Sequence, residues 1–275
     1  MKGAAEAALS AAREAAALVL EVYATPFDVA YKIGDDPVTR ADREANALLC
    51  DRLARATPGV PVVAEESAPD DYAGFASADA AWFVDPLDGT REFVAKNGEF
   101  AVMVGLAERG CATIGVIVAP VWKRAFLGIV GEGAWEIAEG GARTPIHVTS
   151  RPSLVGASLV VSRSRTPEHL ASFVAGIGAA SAVPHGSAGL KGVLVATGVH
   201  DVYLHPGHAG FRWDACATEA LVRAAGGECT DAYGAPFDYR AADLENAHGM
   251  VASNGRVHRA VIEALGRQRG GGAKG

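Results

Sequence analysis

WFVDPLDGTREF, residues 82–93, is the stretch that most narrows the fold and chemistry of this chain. Its first three residues favour a buried strand that carries Asp85 to the strand's carboxyl end, where a proline presets a turn and Gly89 lets backbone approach a ligand closely. Asp85, Asp88 and the backbone carbonyl of Leu87 are the kind of oxygen ligands that Mg²⁺ prefers. The turn therefore indicates a site for a hard metal ion, although an isolated Asp-Pro turn with solvated carboxylates has the same sequence signature.

Three further segments place an acidic residue at the end of a predicted element. Glu65 ends an apolar, strand-like run, Asp214 opens a helix-like stretch, and Thr39 and Asp42 have the Thr-x-x-acid spacing of a helix start. Each has an ordinary explanation when taken singly, as a solvated strand end or a helix N-cap. Their presence in one chain means that the turn at residues 85–90, called the metal-type turn below, is no longer an isolated signal.

Together, these segments resemble the motifs of the inositol monophosphatase superfamily, whose Mg²⁺-dependent, lithium-sensitive phosphatases carry GEES-like, DPxDGT and WD motifs in this order. The resemblance runs from about Thr39 to Gly227 and so covers most of the chain. Within the superfamily the chain is most similar to the bacterial 3′(2′),5′-bisphosphate nucleotidases of sulphur metabolism. The segments behind this choice are REF at 91–93, NGEFAV at 97–102 and GSAGLKGVLVATG at 186–198. Lys191, in the last segment, stands where nucleotidases tend to carry Lys and inositol-specific relatives tend to carry Asp or Asn.

The resemblance implies that two or three Mg²⁺ ions surround one substrate phosphate and that a metal-activated water attacks phosphorus in line. The implied metal ligands are Glu65, Asp85, the Leu87 carbonyl, Asp88 and Asp214. The implied catalytic residues are Asp42, Glu65 and Thr90, with Thr90 hydrogen-bonded to Asp42 so that it positions the water proton. The residues implied to bind substrate are Gly89, Thr90, Gly186, Ser187, Lys191 and His205.

Two of the implied substrate residues have alternative interpretations. Lys191 could instead be an ordinary helix lysine whose stem lies on apolar surface and whose amine reaches solvent. In addition, three residues separate Lys191 from Ser187, where several nucleotidases have two. His205 lies in a short His-rich segment that resembles a transition-metal cluster. That segment lacks the helix of an HExxH site, so we expect His205 to line the substrate rather than bind zinc. Glu92 and Glu99 are expected to be structural.

Composition limits the class of protein. The chain has 275 residues, is 49% hydrophobic and carries a formal charge of −7, which argues against disorder and against binding to nucleic-acid polymers. No apolar run approaches the ~20 residues of a membrane span. The Ala-rich residues 4–22 include four charges and predict an amphipathic helix rather than a signal peptide. We expect a cytoplasmic protein with a small phosphorylated substrate and no membrane or nucleic-acid partner, and leave a homodimer open.

Hydrophobic periodicity predicts the elements along the chain. A strand is expected over 27–33, and strand-like runs between 81 and 130 are joined by turns short enough for an antiparallel meander. After about residue 152 short strands alternate with helices, one of them over 167–175, which favours an α/β arrangement.

These patterns predict a fold of the α+β or α/β class in two domains and a tail. Residues 1–150 would form an N-terminal α+β domain carrying most metal ligands, and residues 151–267 a C-terminal α/β substrate domain. Residues 268–275, rich in Gly, are expected to be disordered. The resemblance implies the layered, alternating helix-sheet sandwich of the inositol monophosphatase and fructose-1,6-bisphosphatase type.

The leading functional hypothesis is an Mg²⁺-dependent bisphosphate nucleotidase that hydrolyses adenosine 3′,5′-bisphosphate to AMP and phosphate. Inositol monophosphate or sugar phosphate hydrolysis by the same machinery is the nearest alternative. A regulatory binding protein on the same fold is a second alternative. The intact set of acidic residues argues against it, because a pure binder could lose one ligand at little cost.

Overall fold

The computed structural model describes residues 1–32, 36–163 and 170–271. In chain order the elements are α1 (Lys2–Tyr23), β1 (Val29–Lys32), β2 (Asp36–Thr39), α2 (Arg40–Ala56), β3 (Val62–Ala64), β4 (Ala80–Asp88), α3 (Thr90–Val94), β5 (Ala101–Glu108), β6 (Cys111–Ala119), β7 (Arg124–Ile129), β8 (Gly133–Ala138), β9 (Arg143–Pro145), β10 (Ser158–Ser162), α4 (Leu170–Gly176), β11 (Ser181–His185), α5 (Ala188–Ala196), β12 (Val202–His205), α6 (Arg212–Ala224), β13 (Glu228–Thr230), β14 (Met250–Ser253) and α7 (His258–Gly271).

The first half of the chain builds a seven-stranded sheet in the order β3-β4-β5-β6-β7-β8-β9. Only the β3–β4 pair is parallel among these described strands, so the predicted meander is confirmed. Side chains alternate across β4: Trp82 and Val84 join the apolar cluster with α1 and α2, and Phe83 joins the cluster with α5 and α6. The sheet is therefore covered by helices on both faces.

Three glycines let α6 lie directly on this sheet. Gly105, Gly115 and Gly128 are cross-strand partners on β5, β6 and β7. A Cβ on Gly115 would lie 2.2 Å from the carbonyl oxygen of Ala217, and one on Gly128 would lie 2.6 Å from the Cα of Leu221. The glycines thus form a flat strip against which the helix backbone packs. This contact sets the distance of α6 from the sheet and so helps to position Asp214 in the first turn of the helix.

The second half builds a five-stranded sheet in the order β11-β10-β12-β14-β13. β10 pairs in parallel with β11 and β12, and β14 runs antiparallel to β12 and β13. One face packs on α4 and α7, and the other packs on α5 and α6. The layers are therefore α1 and α2, the seven-stranded sheet, α5 and α6, the five-stranded sheet, and α4 with α7. This confirms the predicted α+β layered sandwich.

Helices α5 and α6 belong to the C-terminal half of the chain but cover the seven-stranded sheet, so one apolar cluster contains residues from both halves. The division at residue 150 stays a prediction. Among the described helices, none is both long enough and apolar enough to cross a membrane.

The predicted disordered tail is wrong over residues 268–271, which continue α7. The helix continues because Arg269 stacks its guanidinium 3.9 Å above the Tyr233 ring and donates to the carbonyl of Ala232 at 3.1 Å. Residues 272–275 of that prediction lie outside the described residues, as do residue 33 of the predicted strand and residues 167–169 of the predicted helix.

Candidate active site

The acidic segments of the sequence meet in one cleft between the two sheets. The end of β4, the start of α3, the loop before α5, the end of β12 and the start of α6 contribute to its wall. Among the lining residues are eleven of the predicted site residues: Glu65, Asp85, Leu87, Asp88, Gly89, Thr90, Gly186, Ser187, Lys191, His205 and Asp214. The twelfth, Asp42, lies behind this wall and contacts the site through Thr90.

Asp85, Asp88 and Asp214 form the centre of the cleft. One carboxylate oxygen from each lies within 4.8 Å of the others. Burial raises the pKa of Asp85 well above its usual range, and the neighbouring carboxylates of Glu65, Asp88 and Asp214 raise it further. A hydrogen bond with Glu65 also favours the protonated form of Asp85. So many acidic groups at this spacing fit a divalent cation, and their all-oxygen chemistry fits a hard ion such as Mg²⁺.

The end of β4 is irregular in a way that shapes this centre. Asp85 is opposite Met103 and Asp88 is opposite Ala101, so β4 carries one extra residue across the step. Such a bulge bends the strand and re-aims its side chains. The Asp85 carboxylate accepts a hydrogen bond from the Leu87 N–H at 3.0 Å, which closes the turn. The DPxD sequence thus turns both carboxylates into the cleft.

Thr90 connects the cleft to Asp42. Its hydroxyl is 3.0 Å from Asp42 Oδ1 and 3.1 Å from the Leu87 carbonyl, and its single proton can serve one acceptor at a time. Asp42 Oδ2 accepts from the backbone N–H of Thr39 at 2.7 Å and from its hydroxyl at 2.6 Å, which is the capping box of α2. Capping and orientation of Thr90 are therefore compatible roles of the same carboxylate. Burial raises the pKa of Asp42 despite these bonds.

The loop before α5 holds Asp88. Ser187 Oγ and the Gly189 N–H donate to Asp88 Oδ2, the latter at 2.7 Å, and the Ala188 N–H donates to Oδ1 at 3.0 Å. Ser187 is the N-cap of α5 and has a positive φ of 59°. A Cβ on Gly189 would lie 2.8 Å from the sulfur of Met103, so glycine lets the loop come this close. The expected contact of Ser187 with substrate stays a prediction.

Lys191 is buried in the cleft wall rather than reaching solvent, so its interpretation as a solvent-directed helix lysine is wrong. Its amine donates to the carbonyls of Ser187 and, at 3.4 Å, His185, and lies 5.0 Å from the centre of the Tyr203 ring. Burial lowers the pKa of Lys191 to about 8, even though Asp88 and other acidic groups act in the opposite direction. The reason is that α5 packs between the two sheets, so its side chains are enclosed by them rather than extended into solvent.

His205 is buried at the end of β12, with Nδ1 3.5 Å from the Tyr203 hydroxyl, and lines the cleft. Over the described residues, the aspartate cluster is the only group of His, Cys, Asp or Glu side chains with metal-binding spacing.

Sequence reasoning placed Glu92 and Glu99 outside the site, but both are close to it. Glu92 is buried in the cleft wall, and burial raises its pKa. Glu99 accepts hydrogen bonds from Arg163 and from the Gly186 N–H. The signal that could have found them is their position in the REF segment, which lies within α3, and in the NGEF segment, which follows α3.

Comparison with known proteins gives consistent matches. The model of the inositol monophosphatase family matches residues 2–269. The 3′(2′),5′-bisphosphate nucleotidase CysQ of Salmonella typhimurium is 38% identical over 83% of this chain and 90% of the relative. The inositol-1-monophosphatase of Bacillus subtilis is 30% identical over 83% of each chain.

Solved structures of both kinds are similar in fold. CysQ from Bacteroides thetaiotaomicron has a TM-score of 0.75 and 32% identity, covering 91% of this chain and 97% of its own. An inositol monophosphatase from Anabaena has a TM-score of 0.76 and 28% identity, covering 95% and 94%.

Proposed function

The chain belongs to the inositol monophosphatase family, and on that basis we propose that it is an Mg²⁺-dependent 3′(2′),5′-bisphosphate nucleotidase that hydrolyses adenosine 3′,5′-bisphosphate to AMP and phosphate. The observation that carries the proposal is the meeting of the aspartate cluster and a buried lysine in one cleft. The cluster suits a phosphatase, and the lysine suits a substrate with a second phosphate.

Two or three Mg²⁺ ions would be held by Glu65, Asp85, Asp88, Asp214 and the Leu87 carbonyl. Bound there, Mg²⁺ supplies an activated water and stabilises the departing oxygen. The electrostatics support this, because burial and neighbouring carboxylates penalise the ionised form of Asp85. A cation would relieve that penalty and allow Asp85 to ionise.

Thr90 and Asp42 would orient the attacking water. When the Thr90 hydroxyl donates to Asp42 Oδ1, its lone pairs are left to accept a hydrogen bond from water in the cleft and so orient that water. Asp42 is 2% exposed and is held by the α2 capping box, so the acceptor behind Thr90 is fixed. Glu65, which hydrogen-bonds to Asp85 and lines the cleft, would help to hold the metal and its water.

The backbone of Gly89 and Thr90 would bind the reacting phosphate. Gly89 has a φ of 96° and α3 begins at Thr90, so the turn exposes backbone N–H groups beside the acidic centre. Hydrogen bonds from N–H groups to phosphate oxygens would complement the metal charge.

Substrate choice rests on Lys191 and on the relatives. A buried amine in the cleft wall suits a second phosphate, which an inositol monophosphate lacks. Several relatives at 37–38% identity are named bisphosphate nucleotidases. The 30% identity to an inositol-1-monophosphatase keeps monophosphate or sugar phosphate hydrolysis as the second candidate.

The test is phosphate release from adenosine 3′,5′-bisphosphate, inositol 1-phosphate and fructose 1,6-bisphosphate, with Mg²⁺ or with EDTA. We expect the highest kcat/KM for the nucleotide, no release with EDTA, and inhibition by millimolar lithium chloride relative to sodium chloride. Preference for the inositol phosphate would select the second candidate. No release from any substrate would favour a regulatory binding protein. A cytoplasmic location and a homodimer stay predictions from the sequence, and sedimentation tests the latter.

A further inference from the structure

Glu99 contacts two walls of the cleft, the metal-type turn at Gly89 and the loop before α5 at Gly186. It belongs to the segment that links α3 to β5, and its backbone N–H donates to the Asn97 side chain at 3.0 Å. Its backbone carbonyl packs against the metal-type turn, because a Cβ on Gly89 would lie 2.8 Å from that oxygen. The main chain of Glu99 is therefore fixed against one wall of the site.

The side chain of Glu99 reaches the opposite wall. Its two oxygens accept from the Arg163 guanidinium at 2.6 and 3.0 Å, a bidentate pair, and one of them also accepts from the Gly186 N–H at 2.6 Å. Arg163 in turn donates from its guanidinium to the Pro184 carbonyl at 3.2 Å and from its backbone to the His185 carbonyl at 3.1 Å. The Glu99–Arg163 pair thus holds the chain at 184–186 from both sides.

The next three residues bind Asp88. Ser187, Ala188 and Gly189 provide three hydrogen bonds to its two oxygens. Two of these bonds are to Oδ2 and one is to Oδ1, so among the described contacts Oδ1 keeps more capacity for a further ligand. The loop therefore fixes the direction in which Asp88 can bind a cation.

This arrangement needs support from outside the loop. Ser187 has φ 59° and ψ 129°, which is costly for a residue with a side chain and persists only where the surroundings over-determine it. The hydrogen bond of Glu99 to Gly186 is directly next to the strained residue.

We propose that the Glu99–Arg163 ion pair is a positioning device: it holds loop 186–189 and, through that loop, fixes the orientation of the Asp88 carboxylate, which would bind Mg²⁺. Glu99 does not line the metal centre itself, and it acts through Gly186 and Ser187. The metal-binding part of this proposal stands on the site's geometry, and the turnover part rests on the proposed function.

The test compares Glu99→Gln with a matched control, Glu136→Gln. Glu136 pairs with Arg124 at 2.7 Å on β7 and β8, and the arginine is 44% exposed, against 45% for Arg163. Calorimetric titration of the metal-free, full-length proteins with Mg²⁺ should show binding about tenfold weaker in Glu99→Gln, at the low end of the 10–100-fold cost of losing a supporting contact behind a metal ligand. The control should bind as the wild type does.

Turnover gives a second readout. In Glu99→Gln at saturating Mg²⁺, kcat should fall while KM for the nucleotide changes little. The reason is that Asp88 would act on the reacting phosphate in the transition state and not on binding of the substrate in the ground state. Arg163→Gln should show the same pattern to a smaller extent, and Arg163→Lys should restore part of it. The arginine variants also keep the test open if Glu99→Gln does not fold, as judged by circular dichroism.

Wild-type Mg²⁺ affinity in both the Glu99 and Arg163 variants would overturn the proposal, and so would equal losses in Glu99→Gln and Glu136→Gln. Absence of Mg²⁺ binding by the wild type would overturn it together with the metal site. If the wild type binds Mg²⁺ but releases no phosphate, the proposed function alone fails, and the titration still decides the role of the ion pair.

Discussion

Lys191→Met should change how the stability of the metal-free protein depends on pH. Burial lowers the pKa of Lys191 from 10.5 to about 8, whereas the unfolded chain keeps the ordinary value. Between these values the unfolded state binds more protons than the folded state, so the wild type gains stability as pH rises through 8. The methionine variant has no such group and keeps the apolar stem in place.

The size of the effect follows from the same difference. At about 1.4 kcal/mol per pKa unit, the wild type should gain on the order of 2 kcal/mol relative to the variant between pH 7 and pH 9.5. Titrating groups that do not interact with Lys191 are shared by the two proteins and cancel in the comparison. At neutral pH the wild type thus carries a buried charge at the expense of stability, as residues that serve function often do.

The assay is urea unfolding in EDTA at several pH values from 7 to 9.5, with the free energy of unfolding compared between the two proteins. Lys2→Met serves as the control, because that side chain is 82% exposed, and its difference from the wild type should stay constant. Parallel profiles for the wild type and Lys191→Met would refute the reasoning, since they would show that the pKa of the Lys191 amine is the same in the folded and unfolded states.

The same variant tests substrate choice. Loss of the charge should weaken binding of adenosine 3′,5′-bisphosphate by about 1.5–3 kcal/mol, as for a charged hydrogen bond, and KM should rise accordingly. KM for a monophosphate should rise much less. The ratio between substrates is the informative quantity, because the Ser187 and His185 carbonyls lose a donor with either substrate. Equal effects would show that Lys191 is structural.

Asp88→Asn should remove nearly all phosphate release with the fold intact, because one anionic metal ligand is lost; near-normal rates at saturating Mg²⁺ would contradict this. Thr90→Val, which removes the hydroxyl bonded to Asp42, should lower kcat about 100-fold and leave Mg²⁺ affinity by calorimetry unchanged. Gly210→Ala would place a Cβ 2.5 Å from Asp214 Oδ2 at a φ of 72°. It should weaken Mg²⁺ binding and cost about 1–3 kcal/mol in thermal unfolding, and a wild-type titration would show that the Asp214 carboxylate is free to move.

The parts of the site that sequence predicted are those set by short-range rules. Asp85 and Asp88 are brought into the cleft by a proline turn and a bulge within a few residues of each other. Thr39 and Asp42 form a capping box whose spacing is visible in the sequence. In both cases, secondary structure alone determines where the side chain lies.

The parts that sequence did not predict depend on register and distant contacts. The strip of Gly105, Gly115 and Gly128 exists only once three strands are paired, and it is this strip that seats α6. Likewise, the pairing of Glu99 with Arg163 joins residues 64 positions apart. Nothing in the local sequence of either residue indicates the other.

The two helices of the middle layer explain how part of the acidic centre is stabilised. The first turn of α5 and its N-cap give Asp88 three donors, and Asp214, in the first turn of α6, accepts from the Phe211 N–H at 2.7 Å. Backbone N–H groups and the positive end of a helix both favour the ionised form. Asp85 stands at a strand end, where the Leu87 N–H is its backbone donor, and burial raises its pKa well above the usual range. A cation beside Asp85 would offset the cost of burying its charge among the neighbouring carboxylates, which fits its predicted role as a metal ligand.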